Sequence, residues 1–192
     1  MLFRSPLTPT ALEIAVPEPR VLIRFETTPD AAARQAAAAA ELCRAAGADV
    51  RIIDGDLERR TWQEVESRVW APAHTVVRLA LLPTHVADTL DAVAAAAARH
   101  QVAWCAAGRA GLGVLFAGLD GEPAAVARVL ADVRAHVSAL AGGASAVVMA
   151  SPTWGPADTW GDIGAALPVM RAVKDRFDPR GTLCPGRFPW GA

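Results

Sequence analysis

The chain has no tyrosine and only one lysine, Lys174, among its 192 residues. The first absence excludes a tyrosine acid or base. The second excludes a P-loop, because Lys174 lies far from any suitable glycine-rich loop. Cysteine is scarce as well: Cys43, Cys105 and Cys184 show no CxxC spacing. An odd count in a chain without a signal peptide is expected of reduced thiols, so the expected compartment is cytoplasmic. His74, His85, His100 and His136 are scattered without HxH, HxxxH or HExxH spacing, and no metal site is expected. The formal charge is −1, with no basic cluster interleaved with aromatics, which argues against nucleic acid or an anionic membrane as partner. The longest apolar stretches, around residues 86–98 and 138–150, are too short or too interrupted to span a bilayer, so no transmembrane segment is expected.

What is present is ample material for a core: 53% hydrophobic against 20% charged residues, in a chain about one domain long. Strand-like and helix-like runs alternate. Strands are expected at 21–27, 48–54, 75–82, 102–107, 111–119 and 145–151. Helices are expected at 29–46, 57–70, 84–100, 122–140 and 162–177, the first stopped by Gly47 and the third with Thr84 as its cap. This order contains the split βαβ pattern of ferredoxin-like folds. A doubly wound parallel sheet competes, but the short hairpin at 108–113 opposes it, since parallel neighbours need a long crossover. The expected class is α+β: ferredoxin-like βαβ units forming a mainly antiparallel sheet with helices on one face.

Alternation sets arginine apart in three of these strands. Val21, Ile23 and Phe25 oppose Leu22, Arg24 and Glu26; Val50 and Ile52 oppose Arg51 and Ile53; Val77, Leu79 and Leu81 oppose Val76, Arg78, Ala80 and Leu82. Arg78 is the sharpest case, because its strand is otherwise almost wholly apolar and a buried cation requires a partner. Its planar fork suits a carboxylate or phosphate, which makes it the candidate for binding a small anionic substrate. The plainer reading pairs these arginines with nearby carboxylates, and it is favoured for Arg24 and Arg51.

The last nineteen residues, 174–192, are the most specific stretch. Asp178-Pro179 ends a helix, Gly181 supplies a positive-φ stop, and Leu183-Cys184-Pro185-Gly186-Arg187-Phe188 reads as an extended segment, a Pro-Gly turn and an aromatic anchor. A helix ending in Lys-x-x-Phe-Asp-Pro-x-Gly-x-Leu-x-Pro-Gly-Arg resembles the C-terminus of FAD-linked oxidases of the vanillyl-alcohol-oxidase superfamily. It is most similar to the FAD-binding subunit of glycolate oxidase. That family commonly has Asn at the position of Cys184. A weaker likeness covers Val21-Leu22-Ile23-Arg24-Phe25-Glu26 with the Ala-rich helix after it, and the strand ending in Leu82-Pro83.

The resemblance implies a cap or substrate domain at 21–177, a linker from a flavin-binding domain at 1–20, and a tail at 178–192 that returns to the flavin. It implies FAD as cofactor, bound mainly by a domain not contained here, with Cys184, Pro185, Gly186 and Arg187 near the ring and Arg187 as the tuning cation. Partners would be that flavin domain or other oxidase subunits, and the substrate a small 2-hydroxy acid such as glycolate. The chain alone is then not expected to be active. No stretch matches a pyrophosphate cradle: Gly108-Arg109-Ala110-Gly111-Leu112-Gly113 has the wrong order for a GxGxxG turn and runs into a strand. Related oxidases carry a His-rich metal motif in this half, and it is lacking here. Trp154 and Trp160 lie in a long loop, either lining a flavin pocket or anchoring the surface. Two alternatives stand beside the enzyme reading: a non-catalytic assembly module and a ferredoxin-like ligand-binding domain.

Overall fold

A computed structural model describes residues 6–153 and 159–189. In chain order the elements are β1 (Ala11–Val16), β2 (Arg20–Arg24), α1 (Pro29–Ala45), α2 (Gly55–Val69), β3 (Thr75–Ala80), α3 (Val86–His100), β4 (Ala103–Arg109), β5 (Val114–Asp120), α4 (Pro123–Ser138), β6 (Ser145–Ala150) and α5 (Ala166–Phe177). The six strands form one sheet in the order β2-β1-β4-β5-β3-β6, every neighbouring pair antiparallel. From β3 to β6 the chain runs β-α-β-β-α-β, with β5 inserted between β3 and β4. This is the ferredoxin-like arrangement of an α+β fold.

The β4–β5 hairpin is tight because glycine permits it. A Cβ on Gly113 (φ +66°) would stand 1.8 Å from the Leu81 carbonyl oxygen, and the Gly113 carbonyl accepts a hydrogen bond from Leu81 N at 2.9 Å. The turn is thereby pinned to the end of β3. Residue 84 does not cap α3 as expected. Pro83–His85 form a 3-10 turn that leads into the helix, with His85 at the cap position and no side-chain cap bond.

The main core lies between one face of the sheet and helices α3 and α4. Val77, Leu79, Leu115, Ala117 and Leu119 from the strands meet Val93, Ala96, Val126, Val129, Leu130 and Val133 from the helices. The two helices are also tied near their ends, where Arg99 and His100 approach the Asp132 carboxylate at 2.7 and 2.9 Å.

Three expectations are corrected. The face opposite α3 and α4 is not free of helices: α2 lies across β4 and β5 and packs Val65 and Val69 against Val76, Cys105 and Ala107. Its sequence looks polar, yet Trp62, Val65 and Val69 recur at helical spacing and form a narrow buried stripe. Residues 48–54 form no strand; Arg51 and Ile52 lie exposed in a connection, and Asp49, Asp54 and Gly55 are poor strand formers. Finally, part of the expected linker at 1–20 is β1, which pairs with β2 on one side and β4 on the other. Leu12, Ile14 and Val16 alternate with Ala11, Glu13 and Ala15, a period-2 pattern easily overlooked between flanking prolines.

Candidate functional site

Arg78 sits mid-strand in β3, between two neighbours in register: Phe116 on β5 and Val147 on β6. Directly opposed residues share a sheet face, so all three side chains stand on the face away from α3 and α4. Val76, two residues earlier, is buried against α2, whereas Arg78 is only half-buried. Among the described residues no hydrogen bond or ion pair engages the Arg78 guanidinium. Phe116 in turn touches Trp70, just past the end of α2, with ring centroids 5.5 Å apart.

The other arginines of this face behave differently. Arg24 Nε donates to Glu58 at 2.7 Å, lies 3.6 Å from Glu26 and stacks its guanidinium over Trp62 at 4.6 Å. Arg20 meets Glu64 at 3.2 Å, and Arg68 on α2 reaches Glu18 at 3.2 Å. These pairs stitch α2 to the β1–β2 hairpin. Arg24 is therefore structural, as the plainer reading favoured, while Arg51 is on no strand at all.

The C-terminal tail is ordered by one buried carboxylate. Asp178 is 7% exposed and accepts hydrogen bonds from Thr182 N at 2.9 Å, Thr182 Oγ1 at 3.1 Å and Leu183 N at 2.8 Å. Lys174, one turn back on α5, forms an ion pair with it and donates to the Leu183 carbonyl at 2.6 Å. The same ammonium rests 4.5 Å from the centre of the Phe188 ring. The Lys174 hydrogen bond first, and then the donors of Leu183 and Thr182, hold the Asp178 carboxyl far below the usual carboxylate range.

Cys184, Pro185, Gly186 and Arg187 form a single turn. Arg187 N donates to the Cys184 carbonyl at 3.2 Å, and Gly186 has φ +74°, which makes this a Pro-Gly turn of the type that requires a left-handed third residue. Cys184 itself has φ +48°, unusual for a residue with a Cβ. The Arg187 side chain is exposed, and its carbonyl accepts the indole N–H of Trp160 at 2.9 Å. Thr159 O accepts from Val148 N at 2.8 Å, so the segment carrying Trp160 runs beside β6. Trp160 is thus an anchor for the tail, and Trp154 lies outside the described residues. No hydrogen bond or ion pair among the described residues joins Arg78 to the 184–187 turn.

The other candidate chemistry closes down. Gly108 and Gly113 serve hairpin packing: a Cβ on Gly108 would stand 2.5 Å from Val114 O, and neither glycine opens a cradle for a phosphate. Burial pushes the Cys105 thiol above its usual value, with Arg68 opposing, so it is no activated nucleophile. No group of three or more His, Cys, Asp or Glu side chains among the described residues is placed to hold a metal ion. No described helix is long and apolar enough to cross a membrane.

Reading the sequence missed two parts of this arrangement. Lys174 and Asp178 stood out only as the single lysine and a helix stop, although their i, i+4 spacing is the signal for a helix-end ion pair. Phe116 and Val147 become neighbours of Arg78 only through the strand order, which no local pattern reveals. No family model matches this chain, and no curated protein matches it.

Proposed function

We propose that the chain is the cap half of an FAD-dependent oxidoreductase acting on a small 2-hydroxy acid, the flavin being held mainly by another domain or subunit. The observation that carries this reading is Arg78: a half-buried guanidinium on an otherwise apolar strand, with no carboxylate among the described residues to neutralise it. A planar fork left open in that way suits a carboxylate ligand, which it can hold through two parallel hydrogen bonds. The tail supports the same reading, since Lys174 and Asp178 fix a rigid turn that presents the exposed Arg187 cation. When bound, the flavin supplies the hydride acceptor. The protein's own part is to orient the acid through Arg78 and to set Arg187 as a fixed charge.

The test is made on the assembly as it occurs in cells. The chain, purified with whatever it binds, is expected to show a flavin absorption spectrum and to oxidise 2-hydroxy acids. The chain alone should lose added FAD on gel filtration. Arg78→Ala should raise KM by roughly ten- to a hundred-fold, the equivalent of one lost charge-assisted hydrogen bond. A flavin-free assembly, or unchanged kinetics in Arg78→Ala, would remove the proposal.

A second reading, a non-catalytic docking module, is favoured by α5. Val169, Val173 and Phe177 are 64%, 53% and 80% exposed along one helical stripe, and with Pro168, Ala172 and Arg176 they line a shallow groove. A flavin-bearing assembly that tolerates Arg78→Ala but falls apart in Val173→Asp would decide for that reading.

A further inference from the structure

Arg78 is encircled by hydrocarbon. Across the ladder it faces Phe116 and Val147, and along its own strand it is flanked on the same face by Val76 and Ala80. Directly opposed side chains lie within about 5 Å at Cβ, so Phe116 and Val147 wall the arginine stem on both sides. Trp70 extends this surface beyond Phe116 and is itself 46% exposed. Met149, at the irregularity where β6 leaves register with β3, adds a further apolar side chain that is 49% exposed. The Arg78 guanidinium has no partner among the described residues, whereas Arg20, Arg24, Arg68 and Arg99 all have a carboxylate within 3.2 Å.

A two-carbon acid paired with this fork would satisfy the charge and leave Phe116, Trp70 and Val147 facing water. An acid with a branched or aromatic body satisfies both. Each methylene laid against such a surface strengthens binding about four-fold. Resting on the reading given above, we infer that the ligand of Arg78 is a monocarboxylate with an apolar body, a 2-hydroxy acid bearing an isobutyl- or phenyl-sized substituent, in preference to glycolate. Phe116 and Val147 are then specificity-determining residues, and Arg78 holds the carboxylate.

The experiment titrates the full chain with glycolate, lactate, 2-hydroxy-4-methylpentanoate and mandelate. The Trp70 indole and the arginine Nε–H signals are followed by NMR. Affinity is expected to rise along this series, by ten-fold or more between glycolate and the two larger acids, and to vanish for all of them in Arg78→Ala. Arg78→Lys should recover part of it, because the charge stays and the fork is lost. Val147→Thr is isosteric and Phe116→Leu stays apolar with a small loss of volume, so both should keep the fold and flatten the series. Equal affinities across the series overturn this inference and leave the oxidoreductase reading standing on its kinetic test. No binding of any acid, or binding that survives Arg78→Ala, overturns it as well. If 4-methylpentanoate, which lacks the hydroxyl, binds as tightly as its 2-hydroxy counterpart, the apolar preference holds and the 2-hydroxy part of the oxidoreductase reading falls.

Discussion

The two faces of the sheet are built on different principles. Beneath α3 and α4, Leu79 and Leu115 are fully buried and every strand residue in the cluster is apolar. On the other face, α2 covers β4 and β5 with a few apolar side chains and is fastened at its flank by Arg20–Glu64, Arg24–Glu58 and Glu18–Arg68. At the margin of that cluster the covering thins: Phe116 still packs against it, and Arg78, Phe116 and Val147 are left half-buried. The first face answers the demand of the chain to fold. The second leaves a charge unanswered, and a site for another molecule is more economically sought where the fold's own requirements are not met.

The comparison is most severely tested by truncating each face in turn. Leu115→Ala should destabilise the chain by about 2–5 kcal/mol, because it opens a cavity where two helices and three strands meet. Val65→Ala, its counterpart under α2, removes two methyl-sized groups and should cost about 1.5 kcal/mol. Denaturant unfolding measures both. Equal losses would mean that α2 is as integral to the core as α3 and α4, and the contrast between the faces would fail.

A smaller effect separates the arginines. Arg24→Leu loses a partly buried ion pair and the stacking on Trp62, worth about 1 kcal/mol after allowance for solvent. Arg78→Leu breaks no ion pair, so thermal unfolding should show a midpoint unchanged or slightly raised. A loss at Arg78 as large as that at Arg24 would make it a structural residue.

Much of this fold was legible in the sequence. The βαββαβ order from β3 to β6 follows from alternation in Val76–Ala80 and the glycines around Arg109, and the structure realises it as the ferredoxin-like sheet. The β1 strand was hidden because six residues of period-2 pattern carry little weight between prolines. The false strand at 48–54 arose from Val50 and Ile52 alternating with Arg51 and Ile53, a pattern that needs a neighbouring strand to become structure and finds none. For the candidate site, Arg78 was visible as an oddity within its strand, but its surroundings depend on which strands end up adjacent. The tail was legible as a turn, yet the carboxylate that orders it was not, since Asp178 gathers donors from four and five residues ahead and from one turn behind.

That carboxylate gives the gentlest and most local of the expected effects, and it sets the tail apart from both faces of the sheet. The folded-state pKa of Asp178 lies below its unfolded value of roughly 3.9, chiefly through Lys174 and then through the Leu183 and Thr182 donors. A depressed carboxyl pKa contributes stability that is fully present above the unfolded value and is lost as the pH falls through the folded one. The tail should therefore stay docked from neutral pH down to about 4 and begin to loosen only in stronger acid. The indole N–H of Trp160 reports on this directly, because its acceptor is the Arg187 carbonyl in the tail. Its NMR position should hold steady to about pH 4 and then move towards that of a solvated indole. In Asp178→Asn it should already be displaced at neutral pH, because the amide keeps acceptors for Thr182 and Leu183 only in part and gives up the ion pair with Lys174. The core signals of Leu79 and Leu115 should not change in that variant. A Trp160 resonance that is the same in both proteins at neutral pH would show that the turn at Cys184–Arg187 is held by its own Pro-Gly geometry and not by Asp178.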